Sequence, residues 1–79
     1  MTAHADFKAD LLGAIPNLRA FALSLTGAGD RADDLVQETL VKAWHKQASF
    51  QPGTNIKAWL FTILRNEFYS QMRKKGREV

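Results

Sequence analysis

One segment, from about Ile56 to Lys74, constrains this chain more than any other, because helical spacing gives it three distinct faces. At 3.6 residues per turn, Ile56, Trp59, Leu60 and Ile63 fall on one side, and Phe61, Leu64, Phe68 and Met72 on a second. Between them runs a polar strip of Thr62, Arg65, Asn66, Tyr69 and Arg73. A helix with two apolar sides must be wedged between two other helices, leaving a narrow strip for water. Basic, amide and aromatic groups on that strip suit a nucleic acid, offering phosphate partners, base-edge hydrogen bonds and a stacking surface.

The rest of the chain supplies the helices such a wedge needs. The first helical stretch is expected from Asp6 to about Gly13, with Phe7, Leu11, Ala14 and Ile15 as its apolar series. Pro16 suits the first turn of a second helix, where its missing N–H costs nothing. Leu18, Phe21, Ala22 and Leu25 then follow the i, i+3, i+4, i+7 pattern, and Gly27 and Gly29 end that helix. Asp30 is the expected N-cap of a third helix, with Asp33 three residues on; it runs to about Gln47 and buries Val36, Leu40, Ala43 and Trp44. Residues 48–55 hold Pro52 and Gly53 and read as a loop. Thr54 or Asn55 caps the three-faced helix and Gly76 closes it. With no convincing period of two, the expected fold is all-α: one domain of three main helices plus a short leading one.

With 79 residues and 46% apolar composition, the chain can form one small core. The absence of cysteine excludes disulfides and thiolate–metal sites, and fits a reducing, cytoplasmic setting. There is no signal-peptide pattern at the N-terminus and no apolar run near the roughly 20 residues that cross a bilayer. The net charge of +3 is unevenly spread. Asp30 to Leu40 carries four acids and one base, whereas Arg65 to Val79 carries five bases and two acids. That split indicates two surfaces with different partners or, more blandly, a solvated surface whose charges cluster.

Catalysis is not expected. His4 and His45 lie far apart, no glycine-rich phosphate loop or GxSxG elbow is present, and Ser24, Ser49 and Ser70 have no evident base. Asp33, Asp34 and Glu38 fit the role of acids complementing a helix dipole. No cofactor or metal is expected. Asp34, Gln37, Glu38 and Val41 share one side of the third helix, with His45 on the same polar side and Trp44 along its border. They form either a docking face for a basic helical partner or a solvated face. The loop from Ser49 to Asn55 either makes a pocket for an unstacked base, with Phe50 as a wall, or uses Phe50 to plug the core.

Two blocks carry a family resemblance. Asp33-Asp34-Leu35-Val36-Gln37-Glu38-Thr39-Leu40-Val41-Lys42-Ala43-Trp44 resembles the region 2.2 signature of bacterial sigma factors. Phe50 to Asn66, including Ala58-Trp59-Leu60-Phe61-Thr62-Ile63-Leu64-Arg65-Asn66, resembles regions 2.3 to 2.4 of the extracytoplasmic-function group. The match runs from about Ile15 to Arg77 in the right order. The wording of Arg31 to Trp44 and Pro52 to Tyr69 is most similar to the branch governing the alphaproteobacterial general stress response.

The resemblance implies that Asp34, Gln37, Glu38 and Val41 dock on the clamp helices of the largest subunit of core RNA polymerase. It also implies that the loop captures a flipped non-template base of single-stranded −10 promoter DNA. Phe50, Phe61 and Asn66 would form the pocket, while Thr62, Arg65, Tyr69, Arg73 and Lys74 would hold backbone or neighbouring bases. Trp59 matches the family too, but its apolar side makes it core rather than a melting wedge. An anti-sigma factor is a further implied partner. The group's second domain, region 4, is missing from these residues, so the chain reads as an isolated region 2.

Two other readings compete. The stress-response branch also uses a sigma-like decoy that binds an anti-sigma factor without touching DNA; Arg65, Asn66 and Arg73 together, and the lack of a receiver sequence, argue against it. A duplex-reading helix-turn-helix is disfavoured because the loop before the basic helix is too long.

Overall fold

Pro16 and Gly27 bracket the first long helix as their backbone chemistry requires. The computed structural model describes residues 3–77, which form helices α1 (Ala3–Gly13), α2 (Ile15–Thr26), α3 (Gly29–His45) and α4 (Ile56–Arg77), with one 3-10 turn at Gln47–Ser49. No strand occurs among the described residues. α1 begins earlier than the expected Asp6. It bends into α2 at Ala14, whose N–H donates to the carbonyls of Asp10 and Leu11, just before Pro16 enters the first turn. Gly27 ends α2 in the left-handed conformation (φ 73°), its N–H donating to Leu23 O at 2.8 Å.

Several boundaries differ from the sequence expectation, each for a local reason. Gly29 opens α3 instead of ending α2. The Thr26 hydroxyl bonds the backbone of extended Ala28 and so sets the chain's entry one residue before Asp30. Asp30 therefore lies in the first turn, where its carboxylate accepts the Arg31 N–H at 2.9 Å, and is not the cap. α3 stops at His45 and tightens into the 3-10 turn before Phe50. Of the two candidate caps of α4, Asn55 does the work: its Oδ1 accepts the N–H groups of Lys57 (3.0 Å) and Ala58 (3.3 Å). Thr54 instead closes a turn onto Gln51 O, with Gly53 at φ 90°. Gly76 does not close α4, which continues to Arg77; glycine weakens a helix interior by only about 1 kcal/mol relative to Ala.

α2, α3 and α4 pack on one another, and α1 lies against α2. Leu18, Leu35, Leu60 and Leu64 are fully buried at the centre, with Ala14, Ala22, Ala32 and Ala43 as small residues in the same core. The wedge inferred for α4 is present, since it contacts both α2 and α3. Leu40, expected to be buried, is half-buried, and two expected core residues are exposed. Trp44 is 40% exposed because it sits at the edge of α3, and Met72 is 53% exposed beyond the main core contacts of α4. Conversely, Ala32, Leu35, Thr39 and Glu67 are buried without having been anticipated. The Thr39 hydroxyl is satisfied by Leu35 O at 2.7 Å, and no buried side-chain N or O among the described residues lacks a partner.

The central leucines should dominate stability. Leu60→Ala is expected to lower the urea unfolding free energy by about 2–5 kcal/mol, whereas exposed Leu23→Ala should change it by no more than about 0.5 kcal/mol. Equal effects would mean that α4 is seated on a different face.

Candidate functional site

The strip of α4 turned away from α2 and α3 is Thr62, Arg65, Asn66, Tyr69 and Arg73, all exposed. It lies outside because Leu60, Ile63, Leu64 and Glu67 occupy the buried side. Thr62 Oγ1 donates to Ala58 O at 3.0 Å, leaving its lone pairs toward solvent. The Tyr69 ring stands 5.8 Å from that of Phe68. Arg65, Asn66 and Arg73 make no side-chain hydrogen bond or ion pair among the described residues, so their donors are uncommitted. Lys74 and Lys75 are exposed on the following turn. α4 is thus a helix whose outer groups contribute little to holding the fold together.

The loop preceding α4 is anchored at its base and open at its tip. Residues 51–55 are all exposed, whereas Phe50 is half-buried. The Phe50 ring lies 5.1 Å from Trp59 and 5.9 Å from Phe7, centroid to centroid, and Phe7 is also 5.9 Å from Trp59. Phe61 packs elsewhere, 5.0 Å from Phe21. The structure therefore brings Phe50 to Trp59 and Phe61 to α2, while Asn66 stays on the outer strip. Trp59 is half-buried against the core, as its apolar side implied.

α3 presents a second face. Asp34, Gln37 and Val41 are exposed and Glu38 is half-buried, with His45 exposed further along. Asp33, beside them, is held by Arg19 Nε at 3.2 Å, an exposed pair that links α2 to α3. Where α3 meets α4, Lys42 Nζ donates to Glu67 Oε1, and Gln71 Nε2 donates to Glu67 Oε2 at 3.2 Å. Glu67 is only 8% exposed. Burial pushes its carboxyl up, but the hydrogen bonds from Lys42 and Gln71, with the charges of Lys42 and Lys74, outweigh burial and hold it below the usual carboxylate value. The hydrogen bond to Glu67 raises the Lys42 ammonium against the opposing effect of burial, helped by the charges of Glu67 and Glu38. Sequence reading missed this pair. Its signal was a carboxylate three and four residues beyond Leu64 and Ile63, inside the apolar register of α4.

A basic, amide and aromatic strip on one helix and an acid–amide face on its neighbour are the two faces that helical spacing predicted. Residues 14–78 match the family described as Sigma-70 region 2. The chain belongs to that family. This region 2 domain is 66% identical over 70 residues to the ECF RNA polymerase sigma factor EcfG of Rhodopseudomonas palustris, covering 89% of the chain and 39% of that protein. It is 39% identical over 59 residues to the ECF RNA polymerase sigma factor SigM of Bacillus subtilis, covering 75% of the chain and 36% of the relative. Among solved structures it resembles the sigma factor RpoE of Bartonella quintana, determined in complex with the anti-sigma factor NepR. There the TM-score is 0.86 and the identity 70%, over 92% of this chain and 46% of that one. The region 2 domain thus spans less than half the length of these relatives, which are sigma factors and not enzymes. No helix among the described residues is long and apolar enough to cross a membrane.

The Lys42–Glu67 pair sets a pH dependence. A carboxyl held low in the folded state contributes stability above its unfolded pKa and loses it as pH falls through the folded value. An ammonium held high contributes below its unfolded pKa and loses that as pH rises through the folded value. Urea midpoints should therefore fall between about pH 5 and pH 3 in the native chain, and fall less steeply in Glu67→Gln. Identical acid limbs would remove Glu67 from the account. Lys42→Ala, which leaves the buried carboxylate with Gln71 as its one described hydrogen-bond donor and the charge of Lys74, should cost about 1–3 kcal/mol at neutral pH.

Proposed function

We propose that this domain docks an extracytoplasmic-function sigma factor on core RNA polymerase and captures the unstacked non-template strand of the −10 promoter element. The observation that carries the reading is the exposed strip of α4, on which Arg65, Asn66 and Arg73 have no hydrogen-bond or ion-pair partner among the described residues. Groups left uncommitted along a helix that follows an exposed loop are available to a strand that brings its own phosphates and base edges.

In this reading Arg65, Arg73 and Lys74 neutralise phosphates, Asn66 reads a base edge, and Tyr69 gives a stacking face, with Thr62 beside them. Phe50, seated on Trp59, and Phe61, seated on Phe21, are both half-buried and would each offer a ring edge to the strand from its own side of the helix. The domain uses no cofactor and no hydrolysis, so opening has to come from binding the single strand better than the duplex. Extruding a base costs a few kcal/mol, which stacking at about 1–3 kcal/mol per base and pocket hydrogen bonds offset. On α3, Asp34, Gln37, Glu38 and Val41 face the polymerase clamp helices, an acid–amide surface with an apolar edge. The setting is the cytoplasm, where polymerase and promoter meet.

An anti-sigma factor is the second proposed partner, supported by the Bartonella quintana relative having been solved with one. A decoy that binds only an anti-sigma factor is the competing function. The uncommitted Arg65, Asn66 and Arg73 favour the sigma reading, because a decoy has no use for them.

Binding should be measured with the tightest oligonucleotide selected from a random single-stranded pool. Log affinity against log salt should slope by about −0.7 per phosphate contact, or about −2 for three contacts. Arg73→Ala should weaken selected and scrambled strands alike and flatten the slope, while Asn66→Ala should mainly erase the preference between them. A flat salt curve, or the same loss pattern in both variants, would contradict this division. For the other face, the Gln37→Ala/Glu38→Lys double variant should lose binding to purified core polymerase that the parent shows. Absence of binding by the parent at well above micromolar concentration would favour the decoy.

A further inference from the structure

The loop between α3 and α4 has a single large apolar side chain: between Gln47 and Asn55 only Phe50 can anchor it to the body of the domain. Its ends are tied to the adjoining helices, Gln47 and Ser49 to the end of α3 and Asn55 to the first turn of α4, but the bonds within it, from Phe50 to Gln47 and from Thr54 to Gln51, are local and do not join its middle to the body of the domain. The position of that middle is decided by the seat of the Phe50 ring. Trp59, in the first turn of α4, forms one side of the seat at 5.1 Å. The other side is Phe7, at 5.9 Å from Phe50 and 5.9 Å from Trp59.

Phe7 comes from α1, ahead of residue 14, where the family match begins. Its ring also stands 6.2 Å from that of Trp44, near the end of α3. One side chain from outside the matched segment therefore touches the helix before the loop, the anchor of the loop and the helix after it. Phe7 is buried, so its ring belongs to the core of the domain.

We infer that Phe7 is a positioning residue for strand capture: α1 holds Phe50 on Trp59 and so presets the loop for the −10 strand. The inference rests on the strand-capture reading above and deepens it. With Phe7 truncated, Phe50 keeps Trp59 but loses the other described ring of its seat, the tip at residues 51–55 samples more positions, and DNA has to order the loop as it binds. Base selection by the loop weakens, while phosphate contacts on the α4 strip persist.

The test compares the full chain with Phe7→Ala and Phe7→Leu at a temperature where each is folded by circular dichroism. NMR relaxation order parameters are read at Gln51, Gly53, Thr54 and Asn55, and binding is measured to the selected and the scrambled single strands. In Phe7→Ala the loop order parameters should fall while those of residues 60–66 stay unchanged. Affinity for the selected strand should drop about fivefold or more, with scrambled binding and salt slope retained. Phe7→Leu, which keeps most of the volume, should lie between and serves alone if the alanine variant does not fold. Uniform loosening across the domain, or equal loss for both strands, would make Phe7 an ordinary core residue and overturn the inference. If the parent itself shows no preference between strands, strand capture fails as a reading. Unchanged loop order in both variants would instead refute the positioning role even with strand capture intact.

Discussion

Everything on the surface of this domain depends on which side of α4 faces inward. Leu60 and Leu64 are fully buried together with Leu18 and Leu35, in a core that also contains small residues such as Ala22 and Ala43. Because α4 packs on both α2 and α3, its buried side is fixed by that packing, and the outer strip is what remains on the opposite side. Moving the buried centre by one residue would turn the helix by about 100° and carry Arg65, for a shift one way, or Asn66 and Arg73, for a shift the other way, toward the core. The outer residues need no stabilising role of their own, which leaves their composition open to a partner.

Charge is distributed to suit that division. The exposed Arg19–Asp33 pair contributes little, because both groups are well solvated. Lys42–Glu67 is different: a buried carboxylate would be costly without its ammonium and amide partners, so the pair favours one register of α4 on α3. Glu38 lies close enough to strengthen the Lys42 charge. The two helices that carry these surfaces, α3 and α4, are therefore joined by a specific contact as well as by apolar packing.

Much of this was legible in the sequence because helical periodicity is a local signal. The i, i+3, i+4 spacing identified the helices, placed Leu18, Ala22 and Leu60 in the core, and put Thr62, Arg65, Asn66, Tyr69 and Arg73 on one outer strip. Periodicity says which side a residue is on but not how far the neighbouring helices extend, which is why Met72 and Trp44 were expected inside. Glu67 escaped notice because a charge in an apolar register reads as polar until its partner, 25 residues away, is known. Capping at Asp30 was misjudged because the Thr26–Ala28 contact, and not side-chain identity alone, sets where α3 begins. The seat of Phe50 was illegible for the same long-range reason, since Phe7 and Trp59 lie on opposite sides of it in the chain.

The central claim is that one core carries two separate interaction faces, with DNA on the loop and the α4 strip, and the protein partner on α3. The most direct test is to titrate the isotope-labelled domain with the selected single strand and follow every backbone amide by NMR. The account predicts shifts concentrated at residues 50–55 and at Thr62, Arg65, Asn66, Tyr69 and Arg73, with Asp34, Gln37 and Val41 unmoved. Shifts centred on the α3 face, or none at saturating DNA, would contradict it.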